Sequence, residues 1–215
     1  MKKVEELELK VLAVNKEHLI NELEKNNAEK ILDALTEIWT FDISKSFEIE
    51  YTKLPAKLVD TVKIAEELTW HGKSLRDQNY HLRARKQGEH YEFTLKFSKP
   101  HNMNVKKEIE LNINLTKNEW GKIGQTITDA GLIVTAHQQK KRISYQIDHD
   151  THSAHFDIDT WPGIPTYLEI EASSSEIINY WIKKLLLGEN QVTILSGQSF
   201  FDLYNINFYS ELLFK

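Results

Sequence analysis

Run after run of this chain alternates an apolar residue with a charged one, and like charges recur two residues apart. Glu6 and Glu8 oppose Leu7 and Leu9, Arg83 and Arg85 oppose Leu82 and Ala84, and Glu108 and Glu110 oppose Ile109 and Leu111. Asp157 and Asp159 repeat the pattern, as do Glu169 and Glu171, while Lys140 and Arg142 share a face. Period two marks β-strands with one apolar face. An ordinary half-buried strand puts mixed polar residues in water, so any one of these runs alone would read as a solvated edge. Like charges two residues apart repel, and their recurrence in strand after strand needs a neutralising partner. Crowded carboxylates are tolerated around a divalent cation, and clustered arginines and lysines around a multiply charged anion. The two together describe a site for a metal-bound polyphosphate. Strands of this kind curled into a barrel with apolar faces outward would line the lumen with charge and leave helices to cover the outside. This inverts the small soluble barrel, whose interior is filled with apolar side chains.

Composition fits one α+β domain over residues 1–215. A hydrophobic share of 40% is enough for a core and argues against wholesale disorder. The 27 basic residues against 32 acidic ones leave a net charge of −5, so bulk charge gives no footprint for nucleic acid. With no cysteine, thiolate metal sites and cysteine nucleophiles are excluded. No glycine-rich phosphate loop is present, so phosphates would have to be held by side chains. The N-terminus lacks an apolar leader and no run approaches a membrane span, which makes a cytoplasmic protein the expectation.

The spacing predicts strands over 4–14, 28–42, 80–85, 91–97, 105–115, 140–147, 155–159 and 167–172, with 132–136 leading into 140–147. Phe47–Tyr51 reads as a further short strand. Helices are expected over 16–24 after the Asn15 cap, 58–68, 117–130 after Thr116, 177–187 after the serine run, and 199–213.

Glu6-Leu7-Glu8-Leu9-Lys10 fits an ExExK motif, and the elements after it follow a fixed order. Leu75-Arg76-Asp77 through Leu82-Arg83-Ala84-Arg85 is followed by Phe93-Thr94-Leu95-Lys96, then Glu108-Ile109-Glu110, Lys140-Lys141-Arg142, and Asp159 ahead of Glu169-Ile170-Glu171. This series resembles the CYTH superfamily, the triphosphate tunnel metalloenzymes, which include class IV adenylyl cyclases, thiamine triphosphatases and inorganic triphosphatases. The resemblance spans residues 6–171 in order. It implies a closed eight-stranded antiparallel barrel with helices packed outside, and Mg²⁺ or Mn²⁺ as cofactor. Glu6 and Glu8 would bind metal and take part in catalysis, facing Glu169 and Glu171, with Asp159 and one or both of Glu108 and Glu110 completing the acidic side. Lys10, Arg83, Arg85, Lys96 and Arg142 would hold phosphate oxygens. Lys140 falls near a lysine proposed in some members to help activate water.

The implied activity is hydrolysis of the terminal phosphoanhydride of tripolyphosphate, thiamine triphosphate or a nucleoside triphosphate. A cyclase making cyclic AMP and pyrophosphate is the alternative, and a non-catalytic polyphosphate- or nucleotide-binding module a further one. The expected partner is a triphosphate small molecule, with no nucleic acid and no membrane, acting on a monomer or homodimer. The 32 residues of 43–74 exceed the short connection usual in the family, Trp161-Pro162-Gly163-Ile164-Pro165 replaces its glycine-containing turn, and the tyrosine and C-terminal lysine of some members have no clear match. His149, His152 and His155 read as turn and surface residues rather than a metal cluster. The five tryptophans read as packing residues, with Trp161 alone a candidate for the tunnel mouth.

Overall fold

The computed structural model describes residues 2–43, 48–69, 75, 80–100, 106–148, 151–188 and 191–215, without the side chains of 2–6, 69, 98–100 and 106–107. Trp70, Arg76, Asp77 and His149, and the side chain of Glu6, lie outside the described residues. Eight strands carry the architecture: β1 (Lys2–Val11), β2 (Glu29–Ile43), β3 (Tyr80–Gln87), β4 (His90–Pro100), β5 (Lys106–Asn114), β6 (Leu132–Ile147), β7 (Ala154–Thr160) and β8 (Tyr167–Ala172). They pair antiparallel in the order β6-β2-β3-β4-β5-β1-β8-β7, and β7 pairs again with β6. The result is an α+β fold built on a curled antiparallel sheet. Two short strands, β9 (Val192–Thr193) and β10 (Glu211–Leu212), add to β1 and, in parallel, to β6.

Local chemistry sets the connections. Asn15 accepts from the His18 amide at 3.0 Å and starts α1 (Lys16–Lys25). Gln87 pairs with His90 across a two-residue turn whose first residue, Gly88, has φ +59°, the left-handed geometry that matches strand twist. Thr116 and Glu119 form a reciprocal capping box ahead of α3 (Lys117–Trp120). The single helix expected over 117–130 is instead two, because Gly121 and Lys122 interrupt it before α4 (Ile123–Asp129). Ser174 caps α5 (Ser175–Lys184). Two further expectations are corrected. Residues 48–50 form no strand; Ile49 is buried and the chain enters a 3₁₀ turn at Tyr51–Lys53 before α2 (Ala56–Thr69). The C-terminal helix is only α6 (Gln198–Asp202): Asn205 turns left-handed at φ 56°, and its neighbour-but-one Asn207 holds the following turn through the Tyr209 amide at 3.0 Å.

Alternation sends apolar side chains outward, where helices bury them. Leu9, Phe156, Ile158, Leu168 and Ile170 meet Leu19 and Leu23 of α1 and Ile178, Trp181 and Ile182 of α5. On the other flank Phe41, Leu82, Phe93 and Leu95 meet Leu58 and Val62 of α2 and Ile123 and Ile127 of α4. A third cluster forms at one end, where Phe200 and Phe201 of α6 pack on Ile38, Trp161, Ile164 and Tyr167. No helix among the described residues is long and apolar enough to cross a membrane.

Phe156 is fully buried and takes the edge of Trp181 at 5.2 Å. Truncating it leaves a cavity between sheet and helix, so Phe156→Ala should cost about 3–5 kcal/mol of stability. Urea unfolding checks this, and a loss below about 1 kcal/mol would contradict the packing described.

Candidate active site

With the apolar faces turned outward, the charged faces of the strands meet inside. Lys10, Arg83, Arg85, Lys96, Lys140 and Arg142 all line one cavity of about 460 Å³. Glu8, Glu108, Glu110, Asp157, Glu169 and Glu171 line the same space. Strand register dictates who meets whom: Glu8 lies opposite Glu171, Lys10 opposite Glu169, Lys96 opposite Glu110 and Arg142 opposite Asp159. Glu6 pairs by backbone with Glu108 on β5.

Every one of these cations is matched by carboxylates. Lys10 lies 2.8 Å from Glu169 and also pairs with Glu8. Lys96 pairs with Glu108 and sits 3.2 Å from Glu110. Arg83 reaches Glu110 at 3.1 Å, and Arg85 holds Glu92 through Nε at 2.8 Å and a terminal nitrogen at 2.6 Å. Arg142 donates from Nε to Asp159 at 2.7 Å and from Nη2 to Glu169 at 2.7 Å, and pairs with Asp157. Lys140 donates to Asp159 Oδ2 at 2.5 Å.

The fields are strong because many of these side chains are buried. Burial alone would push Lys10 and Lys96 down, but Glu169 and Glu8 hold Lys10 well above its ordinary value, and Glu108 and Glu110 do the same for Lys96. Burial would raise Glu110, yet Lys96 and Arg83 hold it well below the usual carboxylate range. Glu169 is likewise held down, by Lys10 first among its partners, against burial. Lys140 goes the other way: burial and then the Arg142 charge push it below its ordinary value, outweighing Asp159.

Asp157, Glu169 and Glu171 can bring one oxygen each within 4.8 Å of one another. Such an all-oxygen donor set suits a hard divalent cation and fits Mg²⁺ or Mn²⁺. The acidic group thus contains Asp157, where the sequence reading chose Asp159. Asp159 shows no exposure at all and is spent on Arg142, directly across from it in the β6–β7 ladder, and on Lys140, two residues along the same face of β6. Glu108 and Glu110 serve Lys96 and Arg83 rather than joining that group. Tyr167 was also missed. Its hydroxyl donates to Asp159 Oδ2 at 3.4 Å, the oxygen that binds Lys140, and accepts from Trp161 Nε1 at 2.9 Å. Lysine and tyrosine therefore converge on one carboxylate. Period two could have found it, since Tyr167 precedes Glu169 by two residues on the inward face. Of the histidines, His155 lies 2.9 Å from Asp157 at the cavity wall and His152 packs on Tyr180 outside it. Trp161 lines the cavity, 5.5 Å from the Lys140 ammonium.

A carboxylate held below its ordinary value adds stability above that value, and the contribution is lost as pH falls toward its folded-state value. Glu92, held down by Arg85 and Arg83 against burial, and Glu110 both titrate this way from an ordinary value of 4.5. The urea midpoint should therefore fall progressively below about pH 4.5, and Glu92→Gln should flatten part of that slope. A midpoint unchanged down to about pH 3 would contradict the ion-pair assignment.

No protein-family model matches the chain, and no curated protein sequence does. Solved structures do. A candidate adenylate cyclase from Bacillus halodurans is 18% identical with TM-score 0.56, covering 96% of this chain and 100% of that one. A candidate adenylate cyclase from Vibrio parahaemolyticus is 14% identical with TM-score 0.57, covering 90% and 94%. A candidate adenylyl cyclase from Hippeastrum, described as having a dominant triphosphatase activity, is 13% identical with TM-score 0.54, covering 93% and 94%. Identities this low establish likeness of fold, and with the ordered series of charged strands they give the conclusion that this chain has the CYTH-type fold.

Proposed function

We propose that the chain hydrolyses the terminal phosphoanhydride of a triphosphate in a metal-dependent reaction inside its charged cavity. The observation that carries this reading is the lining: among the described residues, six lysines and arginines face six carboxylates in one space. We read the return of β7 to β6 as closure of an eight-stranded tunnel around that space. A lining so nearly balanced has little net attraction for a triphosphate, which carries about four negative charges near neutral pH. Binding becomes favourable when a cation enters with it. The described activity of the Hippeastrum protein favours hydrolysis over cyclisation as the reading for this chain.

Asp157, Glu169 and Glu171 would hold Mg²⁺ or Mn²⁺, with Glu8, and Glu6 two residues before it, on the adjoining strand. When bound, the metal would supply positive charge to phosphate oxygens. The chain's own cations do the rest. Lys10, Arg83, Arg85 and Lys96 exchange carboxylate partners for phosphate oxygens and hold the substrate in line. Arg142 and Lys140, fixed by Asp159, present charge where it accumulates on the leaving group. Such preorganised charge accounts for most catalysis in phosphoryl transfer, where the protein has little covalent chemistry to do.

The test is a panel of tripolyphosphate, thiamine triphosphate and ATP with Mg²⁺ and Mn²⁺, scored by product. Orthophosphate release that stops on chelation is expected; cyclic AMP with pyrophosphate from ATP, or tight binding without turnover, would overturn the reading. Glu171→Gln should lower metal-dependent turnover by about a hundredfold or more while leaving the circular dichroism spectrum unchanged.

A further inference from the structure

Trp161 stands where an aromatic cluster meets the charged lining of the cavity. It follows the last residue of β7, Thr160, and opens the turn Trp161-Pro162-Gly163-Ile164. The Ile164 amide closes that turn by donating to the Trp161 carbonyl at 3.2 Å, and Gly163 takes φ +78°. A Cβ added at Gly163 would stand 3.3 Å from Ile206, so the segment after α6 lies close over the turn. Trp161 is only 6% exposed, and its ring packs at 80° to that of Phe201.

Packing alone would be served by any large apolar side chain. Trp161 makes two further contacts. Its ring faces the Lys140 ammonium, 5.5 Å from the ring centre. Its Nε1–H donates to the Tyr167 hydroxyl at 2.9 Å, and that hydroxyl donates onward to Asp159 Oδ2 at 3.4 Å. Lys140 donates to the same oxygen at 2.5 Å. Trp161, Tyr167, Asp159 and Lys140 therefore form a closed loop of contacts, and the indole touches both of its ends.

Each contact has a physical consequence for Lys140. Its ammonium shares Asp159 with the Arg142 guanidinium, which reaches Oδ1 through Nε at 2.7 Å, and the two like charges repel. An aromatic face attracts an ammonium, more strongly where the pair is desolvated. The indole N–H can only donate, so it makes the Tyr167 hydroxyl an acceptor on that side and turns the hydroxyl hydrogen toward Asp159. Lys140 lines the cavity, so the place at which its ammonium is held decides what it reaches there.

We propose that Trp161 is a positioning residue for the reaction: its ring and its N–H together hold the Lys140 ammonium and Asp159 where charge develops on the phosphates. This rests on the triphosphatase reading and deepens it. Lys10, Arg83, Arg85 and Lys96, which hold the substrate in that reading, stand on β1, β3 and β4. Loss of Trp161 should therefore slow turnover and leave KM nearly unchanged.

The experiment measures kcat and KM with Mg²⁺ on whichever of tripolyphosphate, thiamine triphosphate and ATP is turned over best, with urea midpoints alongside. The chains are the wild type, Trp161→Phe, Trp161→Leu, Tyr167→Phe and the double variant of Trp161→Phe with Tyr167→Phe. Trp161→Phe keeps a ring and loses the N–H, and kcat should fall by about five- to tenfold with KM within about twofold. Trp161→Leu loses both contacts, and kcat should fall by about thirtyfold. The N–H acts through the Tyr167 hydroxyl, so adding Trp161→Phe to Tyr167→Phe should lower kcat by no more than about twofold further. Unchanged kcat in both Trp161 variants, a loss carried by KM, a Trp161→Phe effect just as large without the Tyr167 hydroxyl, or a Trp161→Phe chain that does not fold would each assign Trp161 to packing. Any of these would overturn the proposal while the triphosphatase reading stands. If Trp161→Leu or Tyr167→Phe does not fold, kcat and KM of Trp161→Phe decide. Failure of the wild type to turn over any of the three substrates would instead remove the triphosphatase reading, and this proposal with it.

Discussion

Charge buried inside a curled sheet is the constraint on which the rest of this structure depends. Glu8, Lys10, Lys140, Arg142, Asp157 and Asp159 are each under a tenth exposed, in surroundings where an unpaired charge would be severely destabilising. The fold meets this partly by strand register, which sets Lys10 opposite Glu169 and Arg142 opposite Asp159, and partly by diagonal pairs such as Lys140 with Asp159. Such pairs add little to stability over an apolar core, because desolvation consumes most of the attraction. Their retention makes sense as a held exchange. On the proposed function, the cations are held oriented for phosphate, and the carboxylates they would release could take up a divalent ion.

The same inversion dictates the outside. A sheet with its polar face inward has apolar side chains to cover, and two helix-backed cores do this, one under α1 and α5 and the other under α2 and α4. α6 and the segment after it differ in kind. Phe200, Phe201 and Phe208 turn toward the cavity rather than away from it, giving an otherwise ionic space an apolar end. Stability thus resides mainly in the outer layers, and the interior is left free for recognition.

Much of this was legible from alternation alone. Period two located the eight long strands, and like-charged pairs on one face marked which side turns inward, because a water-facing strand has no reason to concentrate one sign. What alternation could not resolve was how inward-facing groups divide their partners. Asp157 and Asp159 are equivalent in sequence, and only the register against β6, which sets Arg142 against Asp159 and Ser144 against Asp157, separates the buried anchor from the member of the acidic cluster. Tyr167 escaped for a related reason, since its role depends on sharing Asp159 with Lys140 across two strands. The C-terminal segment misled because Ser199 to Leu213 has helix-like apolar spacing, while Asn205 and Asn207 turn the chain. Its phenylalanines are apolar on account of the cavity end they cover.

The central claim is that carboxylates and cations of one lining exchange each other for metal and phosphate. Calorimetric titration of tripolyphosphate into the chain, with and without Mg²⁺ at matched ionic strength, tests it most directly. The account predicts binding at least about tenfold tighter with Mg²⁺ present, and that coupling lost in Glu171→Gln. Equal affinity with and without the metal would contradict it.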